Sequence, residues 1–220
     1  MKPTTTLATS TTPDGSHLVL QTHDDQFFLK IDNVTLMSTV ASLSEQEMAV
    51  LACGDMKTSG RVLIGGLGFG FTLAKVIDLV PKGTQVDVAE LLSEIIEWNR
   101  EHLQSVNGKL LGHPGVTIHQ KDVLRLIQEN PSTYHAILLD VDNSPNALVQ
   151  NDNSSLYDRG GLQQVKAALT KKGRVVFWSA NTDKAFEKRM EKVFRNVQSV
   201  PMKAYPKAKR PTHTLFIGER

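Results

Sequence analysis

The feature that most constrains the fold is a regular alternation of apolar strands and helical segments that begins at Arg61. Residues 61–65 have the pattern of an apolar strand, and residues 71–79 have a helical pattern that Pro81 and Gly83 end. Further strands are predicted at residues 84–89, 116–119, 134–139 and 174–179, and further helices at 91–106, 123–129, 161–169 and 184–194. This alternation predicts a mostly parallel sheet covered by crossover helices.

Two β-like segments, residues 197–204 and 213–217, follow the last of these helices. They predict an antiparallel hairpin in place of a sixth parallel strand. This ending resembles that of S-adenosylmethionine-dependent methyltransferases. The resemblance implies an α/β fold of the Rossmann-like methyltransferase type, with a mostly parallel seven-stranded sheet that ends in an antiparallel hairpin.

The part of the chain before Arg61 has a different pattern. Residues 17–37 contain clusters of β-forming side chains separated by turn-forming Asp and Asn pairs, which predicts a small N-terminal β-meander. Ser44 is expected to be the N-cap of a short helix over residues 45–53, with Glu47 at the capping-box position. The predicted organisation is a flexible tail (residues 1–16), a β-meander with its helix (17–55) and a nucleotide-binding domain (56–220).

Composition excludes several classes of protein. The chain has 220 residues and a net charge of +2, a balance that argues against a dedicated nucleic-acid binder. Its lone cysteine, Cys53, cannot form an internal disulfide, which suits a reducing compartment. We find no apolar run long enough to span a membrane, no secretory signal in residues 1–16 and no histidine spacing typical of a metal site. A cytoplasmic protein with no bound metal is expected.

A glycine-rich loop, Gly65-Gly-Leu-Gly-Phe-Gly, connects the first apolar strand to the first helix. Glycines let the backbone turn tightly there and let a nucleotide approach main-chain atoms. A dinucleotide fingerprint that starts at Gly66 would require glycine at position 71, where this chain has Phe71. The spacing instead matches S-adenosylmethionine-dependent methyltransferases. The candidate cofactor-binding residues of the loop are Gly65, Gly66, Leu67, Gly68 and Gly70.

Acidic residues follow the second and third strands of the alternation. Glu90 ends the second strand, where a carboxylate can accept hydrogen bonds from a ribose diol, and Leu91 follows it. Asp122 follows the third strand, where it can accept from the adenine amino group, and Val123 begins the next helix. Asp122 also suits an N-cap of that helix, and the two roles are compatible.

The fourth strand leads into the candidate catalytic residues. Asp140 ends this strand, at the sheet edge where ligands bind, and either takes part in the active site or caps a loop. Asp142 follows within reach of the same edge, and the polar segment 141–155 is a candidate lid. Tyr157 either contacts substrate or holds the start of the next helix. His213 and Trp178 are further candidates for the wall of the substrate site.

From about His17 to its C-terminus the chain resembles the spermidine/spermine synthase family, whose aminopropyltransferases have the methyltransferase fold. The resemblance rests on Val62-Leu-Ile-Gly-Gly, Val88-Ala-Glu-Leu, Tyr134-His-Ala-Ile-Leu-Leu-Asp and Leu156-Tyr. The chain is also similar to a bacterial methyltransferase-like subgroup, through Glu97-Trp-Asn-Arg and Val176-Phe-Trp-Ser-Ala. The resemblance implies that Asp140 orients an amine or takes its proton, that Asp140 also belongs to the cofactor site, and that the protein is a homodimer.

Two departures from the family bear on whether the chain transfers a methyl or an aminopropyl group. Aminopropyltransferases have an Asp in the glycine loop, where this chain has Gly68, and a Tyr-His-Glu element, where this chain has Glu45-Gln46-Glu47. An Asp at that place in the loop would repel the carboxylate of intact S-adenosylmethionine. We therefore expect methyl transfer from S-adenosylmethionine to a small molecule. Aminopropyl transfer from the decarboxylated compound and a non-catalytic nucleotide-binding protein are the alternatives.

Overall fold

The computed structural model describes residues 3–12, 15–140 and 154–220, which form two sheets and the helices around them. The N-terminal elements are β1 (Thr5–Thr11), β2 (His17–His23), β3 (Gln26–Ile31), β4 (Val34–Ser38) and α1 (Leu43–Cys53). The strands pair antiparallel in sequence order, which confirms the predicted meander and adds a fourth strand to it.

The prediction of a flexible tail over residues 1–16 is wrong for its central part. β1 pairs with β2 from Thr5 opposite Thr22 to Thr11 opposite His17. The Thr-rich composition suits a strand, because β-branched side chains pack well on a pleated surface. Leu7 and Ala8 also pack against the main core, which fixes β1 to the rest of the meander.

The second sheet has seven strands in the order β10-β11-β9-β8-β5-β6-β7. Its strands are β5 (Arg61–Gly65), β6 (Gln85–Glu90), β7 (Val116–Gln120), β8 (Tyr134–Leu139), β9 (Leu169–Ser179), β10 (Arg195–Met202) and β11 (His213–Glu219). β5 to β9 are parallel, whereas β11 runs antiparallel to both β9 and β10. The predicted Rossmann-like fold with a terminal antiparallel hairpin is confirmed.

Helices cover both faces of this sheet. They are α2 (Phe71–Leu79), α3 (Ser93–Glu101), α4 (Gln104–Asn107), α5 (Val123–Glu129), α6 (Ser154–Tyr157), α7 (Arg159–Ala168) and α8 (Lys184–Glu191). The single helix predicted over residues 91–106 is two helices, because the chain turns at His102 and buries Leu103 between them. No helix in the described part of the chain combines the length and apolar character needed to cross a membrane.

Helix α1 differs from its predicted start. It begins at Leu43 after Ser42, and Ser44 lies within the helix, so Ser44 is not the N-cap. The Ser44 side chain is buried, and its hydroxyl accepts a hydrogen bond of 3.0 Å from Nε1 of Trp178. This tertiary contact outweighs the local capping preference. Helix α1 packs on α2 and on the strands β8, β9 and β11, which brings its first turn to the carboxyl edge of the sheet.

Candidate functional site

The glycine loop between β5 and α2 has a backbone that favours glycine. Gly66, Gly68 and Gly70 have φ values of 91°, 51° and 84°, in the left-handed region that side chains rarely adopt. At Gly65 a Cβ atom would lie 2.9 Å from side-chain atoms of both Leu139 and Val123. The predicted loop therefore depends on its glycines both for its conformation and for its close packing.

Glu90 fixes this loop from the end of β6. Its Oε2 accepts a hydrogen bond of 2.9 Å from the backbone N–H of Leu67, and its Oε1 accepts one of 2.9 Å from that of Leu92. Burial raises the pKa of Glu90, against the backbone N–H donors, which favour the charged form. Glu90 also lines a cavity beside the loop, so it both holds the loop and faces the space where a ribose hydroxyl would lie.

Asn99 of α3 also supports the loop. Its amide donates to the carbonyl of Gly68 at 2.8 Å and to that of Ile95 at 2.7 Å, and its oxygen accepts from the Asn107 amide. Asn99 is 1% exposed. Asn99 belongs to Glu97-Trp-Asn-Arg, but that motif predicts no role for it. The available signal was a polar amide on the apolar face of an amphipathic helix, where a buried amide needs partners.

Asp122 has the capping role that the sequence predicted. Its Oδ1 accepts a hydrogen bond of 3.0 Å from the backbone N–H of Arg125 at the start of α5. Asp122, Val123 and Leu91 also line a cavity beside the glycine loop. Capping and ligand contact are therefore compatible at this position.

This cavity has a volume of about 260 Å³ and lies at the carboxyl edge of the sheet, under the N-terminal meander. The glycine loop contributes Gly66 and Gly68, whereas Gly65, Leu67 and Gly70 support the loop and do not line the cavity. Leu18, Leu29, Leu36 and Met37 of the meander form its apolar cover. A neighbouring cavity of about 590 Å³ shares Leu91, Lys121, Asp122 and Val123 with it, so the two spaces adjoin at the predicted adenine end.

Asp140, at the end of β8, also lines the cavity. In the sheet, β8 lies on the other side of β5 from β6 and β7, and the residues that the two cavities share follow β6 and β7. The backbone N–H of Asp140 donates to the carbonyl of Gly65 at 3.0 Å, which ties the end of β8 to the start of the glycine loop. Glu45 of α1 lines the same cavity, and burial together with the charge of Asp140 raises the pKa of Glu45 to about 9. As part of the departure from the Tyr-His-Glu element, Glu45 had no predicted role. It lies far from Asp140 in the chain, so local pattern could not join them.

Trp178 and His213 form an aromatic wall beside these carboxyl groups. Their ring centroids are 4.7 Å apart with an interplanar angle of 62°, and both residues line the cavity. Because the Trp178 indole donates to Ser44, its orientation is fixed from helix α1. Burial lowers the pKa of His213, which favours the neutral imidazole.

Tyr157, predicted as a catalytic candidate, is not among the residues that line the cavity. Its ring packs against those of Phe177 and Phe186, at centroid distances of 5.8 and 5.5 Å, in the core on one face of the sheet. These contacts are with β9 and α8, so the predicted alternative, that Tyr157 holds the start of α7, stays a prediction. Asp142 and most of the predicted lid over residues 141–155 lie outside the described residues.

The architecture is that of the spermidine synthases. The crystal structure of spermidine synthase from Thermotoga maritima matches with a TM-score of 0.79 at 16% identity, over 97% of this chain and 72% of that one. A spermidine synthase in complex with the transition state analogue AdoDATO matches with a TM-score of 0.81 at 17% identity, over 97% and 73%. A probable spermidine synthase from Corynebacterium glutamicum ATCC 13032 matches with a TM-score of 0.69 at 18% identity, over 100% and 81%.

No protein-family model matches the sequence, and no curated protein matches it. The similarity to spermidine synthases is therefore one of fold, at an identity at which activity does not follow from architecture.

Proposed function

We propose that the protein transfers the aminopropyl group of decarboxylated S-adenosylmethionine to an amine acceptor. The observation that carries this proposal is the acidic lining of the cavity. Four carboxyl side chains line it, and Lys121 is the single lysine or arginine among its described lining residues; the four acids are Glu45, Glu90, Asp122 and Asp140. Decarboxylated S-adenosylmethionine has a sulfonium and an ammonium group and no carboxylate. A bound cation favours the charged form of a carboxyl group, so this lining favours the decarboxylated compound over the intact one.

The nucleoside half of the donor is expected to bind at the β5–β6–β7 side. Glu90 would accept from the ribose hydroxyls, since it lines the cavity at the end of β6 beside the glycine loop. Asp122, at the adjoining end of the two cavities, would accept from the adenine amino group. Gly66 and Gly68 allow the donor to approach the backbone closely.

The reaction is a displacement at the aminopropyl carbon that is bonded to the sulfonium sulfur. The acceptor nitrogen forms a bond to this carbon, the carbon–sulfur bond breaks, and its electron pair stays on sulfur as a neutral thioether. The proton that the amine loses goes to the Asp140 carboxylate, which faces the cavity at the end of β8. Because the donor is already activated, the protein contributes mainly orientation and charge.

Methyl transfer from intact S-adenosylmethionine is the second candidate, and one observation favours it. A Cβ atom at Gly68 would lie 3.1 Å from Cε and 3.2 Å from Sδ of Met37, so the loop has an apolar neighbour where aminopropyltransferases have an acid. The loop therefore offers no carboxylate for the ammonium of the decarboxylated donor. On our proposal the ammonium is held by the other acids of the cavity.

Calorimetry with the two sulfonium compounds and with NAD in parallel tests the proposal. We expect the decarboxylated compound to bind most tightly and NAD not to bind. Mass spectrometry of a reaction with a panel of primary amines then identifies an aminopropyl or a methyl adduct. Preference for the intact compound together with a methylated product would replace the proposal by the second candidate, and no binding of either sulfonium compound would reject both.

A further inference from the structure

We infer that Glu45 of helix α1 binds the acceptor amine opposite Asp140, and that it gives up a proton to solvent when the amine binds. This inference deepens the proposed function and rests on it. It assigns the choice of acceptor to the N-terminal helix instead of the nucleotide-binding domain.

The position of α1 directs Glu45 into the site. Ser44, the preceding residue, is fixed by the hydrogen bond from Trp178, and the Glu45 backbone carbonyl accepts from the Thr72 hydroxyl of α2 at 3.5 Å. Both Ser44 and Glu45 line the cavity, together with Asp140. The first turn of α1 is thus held on two sides, and the Glu45 carboxyl faces the end of β8.

The other acids of the cavity have assigned partners. Glu90 accepts two backbone N–H groups, and Asp122 caps α5. Within residues 3–12, 15–140 and 154–220, no group donates a hydrogen bond to the Glu45 carboxyl. An ammonium group has three donors, so it can bond to Glu45 and to Asp140 at the same time.

The protonation of Glu45 fits this role. With its pKa raised to about 9, Glu45 keeps its proton at pH 7.5 in the ligand-free protein. A bound ammonium favours the carboxylate, so the carboxyl proton leaves as the salt bridge forms. The balance is one acid proton released for each cation bound, and the amine itself arrives with its own proton.

Few positively charged groups near Glu45 could pair with its carboxylate in place of the amine. The titratable and charged groups that share the cavity are Asp140 of β8, His213 of β11, Glu90 of β6, and Lys121 and Asp122 after β7. On α2, which packs against α1, Lys75 pairs with Asp78 at 3.4 Å. On β9, Arg174 pairs with Asp55 at 3.0 Å and with Glu219 at 3.4 Å. Asp140 is the neighbour whose charge acts on Glu45, and it acts in the direction that retains the proton.

The test is calorimetry on the full chain, with n-butylamine and 1,4-diaminobutane as probes at pH 7.5. The protein is first saturated with the thioether nucleoside product, and each titration is run in two buffers of different ionisation enthalpy. For the wild-type protein we expect about one proton released per amine bound, by proton linkage. For Glu45→Gln we expect amine affinity to fall by about tenfold or more, since a hydrogen bond to a charged group is lost, and proton release to disappear.

Glu47→Gln is the matched control, because Glu47 lies on the same helix and is not among the residues that line the cavity. It should leave both amine affinity and proton release unchanged. The inference is overturned if the wild-type protein binds the donor but binds neither amine, or binds amine without proton release. Equal amine affinity of Glu45→Gln and wild type also overturns it. Failure of the wild-type protein to bind any sulfonium compound would instead reject the proposed function.

Discussion

Replacing Glu90 by glutamine tests how much of the nucleotide site depends on one side chain. The carboxylate gives each of two backbone N–H groups its own oxygen, at 2.9 Å to Leu67 and 2.9 Å to Leu92. Glutamine has one oxygen, so one of the two N–H groups loses its acceptor and faces an amide NH₂ instead. Leaving a buried donor unsatisfied costs about 1–3 kcal/mol, and we expect the free energy of unfolding to fall by that amount.

Donor binding should fall as well, by a comparable free energy. The amide also loses acceptor capacity for the ribose hydroxyls, which predicts a loss of affinity of about ten- to a hundredfold. Urea unfolding measures the first effect, and calorimetry with decarboxylated S-adenosylmethionine measures the second. Glu97→Gln is the control, because Glu97 lies exposed on α3.

A comparison of adenosine with adenine separates the two roles of Glu90. Adenosine affinity should fall in Glu90→Gln by the same factor as donor affinity, whereas adenine, which has no ribose, should be affected much less. The reasoning is refuted if Glu90→Gln unfolds at the wild-type urea concentration and binds adenosine as tightly. An equal loss for adenosine and adenine would show that Glu90 acts through loop geometry alone.

Two further predictions concern residues with structural roles. Gly68→Ala forces an L side chain to φ 51° against Met37, and we expect thermal unfolding to show a loss of about 1–2 kcal/mol; wild-type stability would contradict the strain. Although burial acts to raise it, hydrogen bonds from Arg61 and His119 hold the pKa of Asp87 below its usual value. Its stabilisation should therefore be complete above about pH 4 and be lost as pH falls through the folded pKa. Asp87→Asn should abolish this pH-dependent change in the midpoint of urea unfolding. A pH dependence equal to that of wild type would show that Asp87 is not its source.

The grouping of the glycine loop with the acids beside it could be predicted because its signals are local. A glycine loop directly after β5 and an acid directly after β6 lie at the same sheet edge whenever the strands are parallel and adjacent. The alternation of strands and helices predicts that consecutive strands such as β5 and β6 are parallel and adjacent. The capping role of Asp122 is local too, since its acceptor and the Arg125 N–H are three residues apart.

The rest of the site depends on contacts that no local pattern contains. Asn99 donates to Gly68 only because α3 packs beside the loop, and Ser44 gives up a capping role because Trp178 reaches it across the fold. The strand β1 could not be predicted for a different reason. Its Thr-rich sequence has few apolar residues, so no hydrophobic pattern marks it as a strand. It is held in place mainly by its pairing with β2.

On the proposed function, the two halves of the cavity divide donor recognition from acceptor recognition. The Rossmann-like part of the chain provides Glu90, Asp122 and the glycine loop, whereas the N-terminal region covers the cavity with Met37 and provides Glu45. Met37 lies against the position where an acid side chain on residue 68 would project, so the loop glycine and the meander cover depend on each other. On the proposed function, Glu45 of α1 and Asp140 at the end of β8 neutralise the ammonium of the acceptor. A change of acceptor should accordingly require substitutions in the N-terminal region and leave the glycine loop intact.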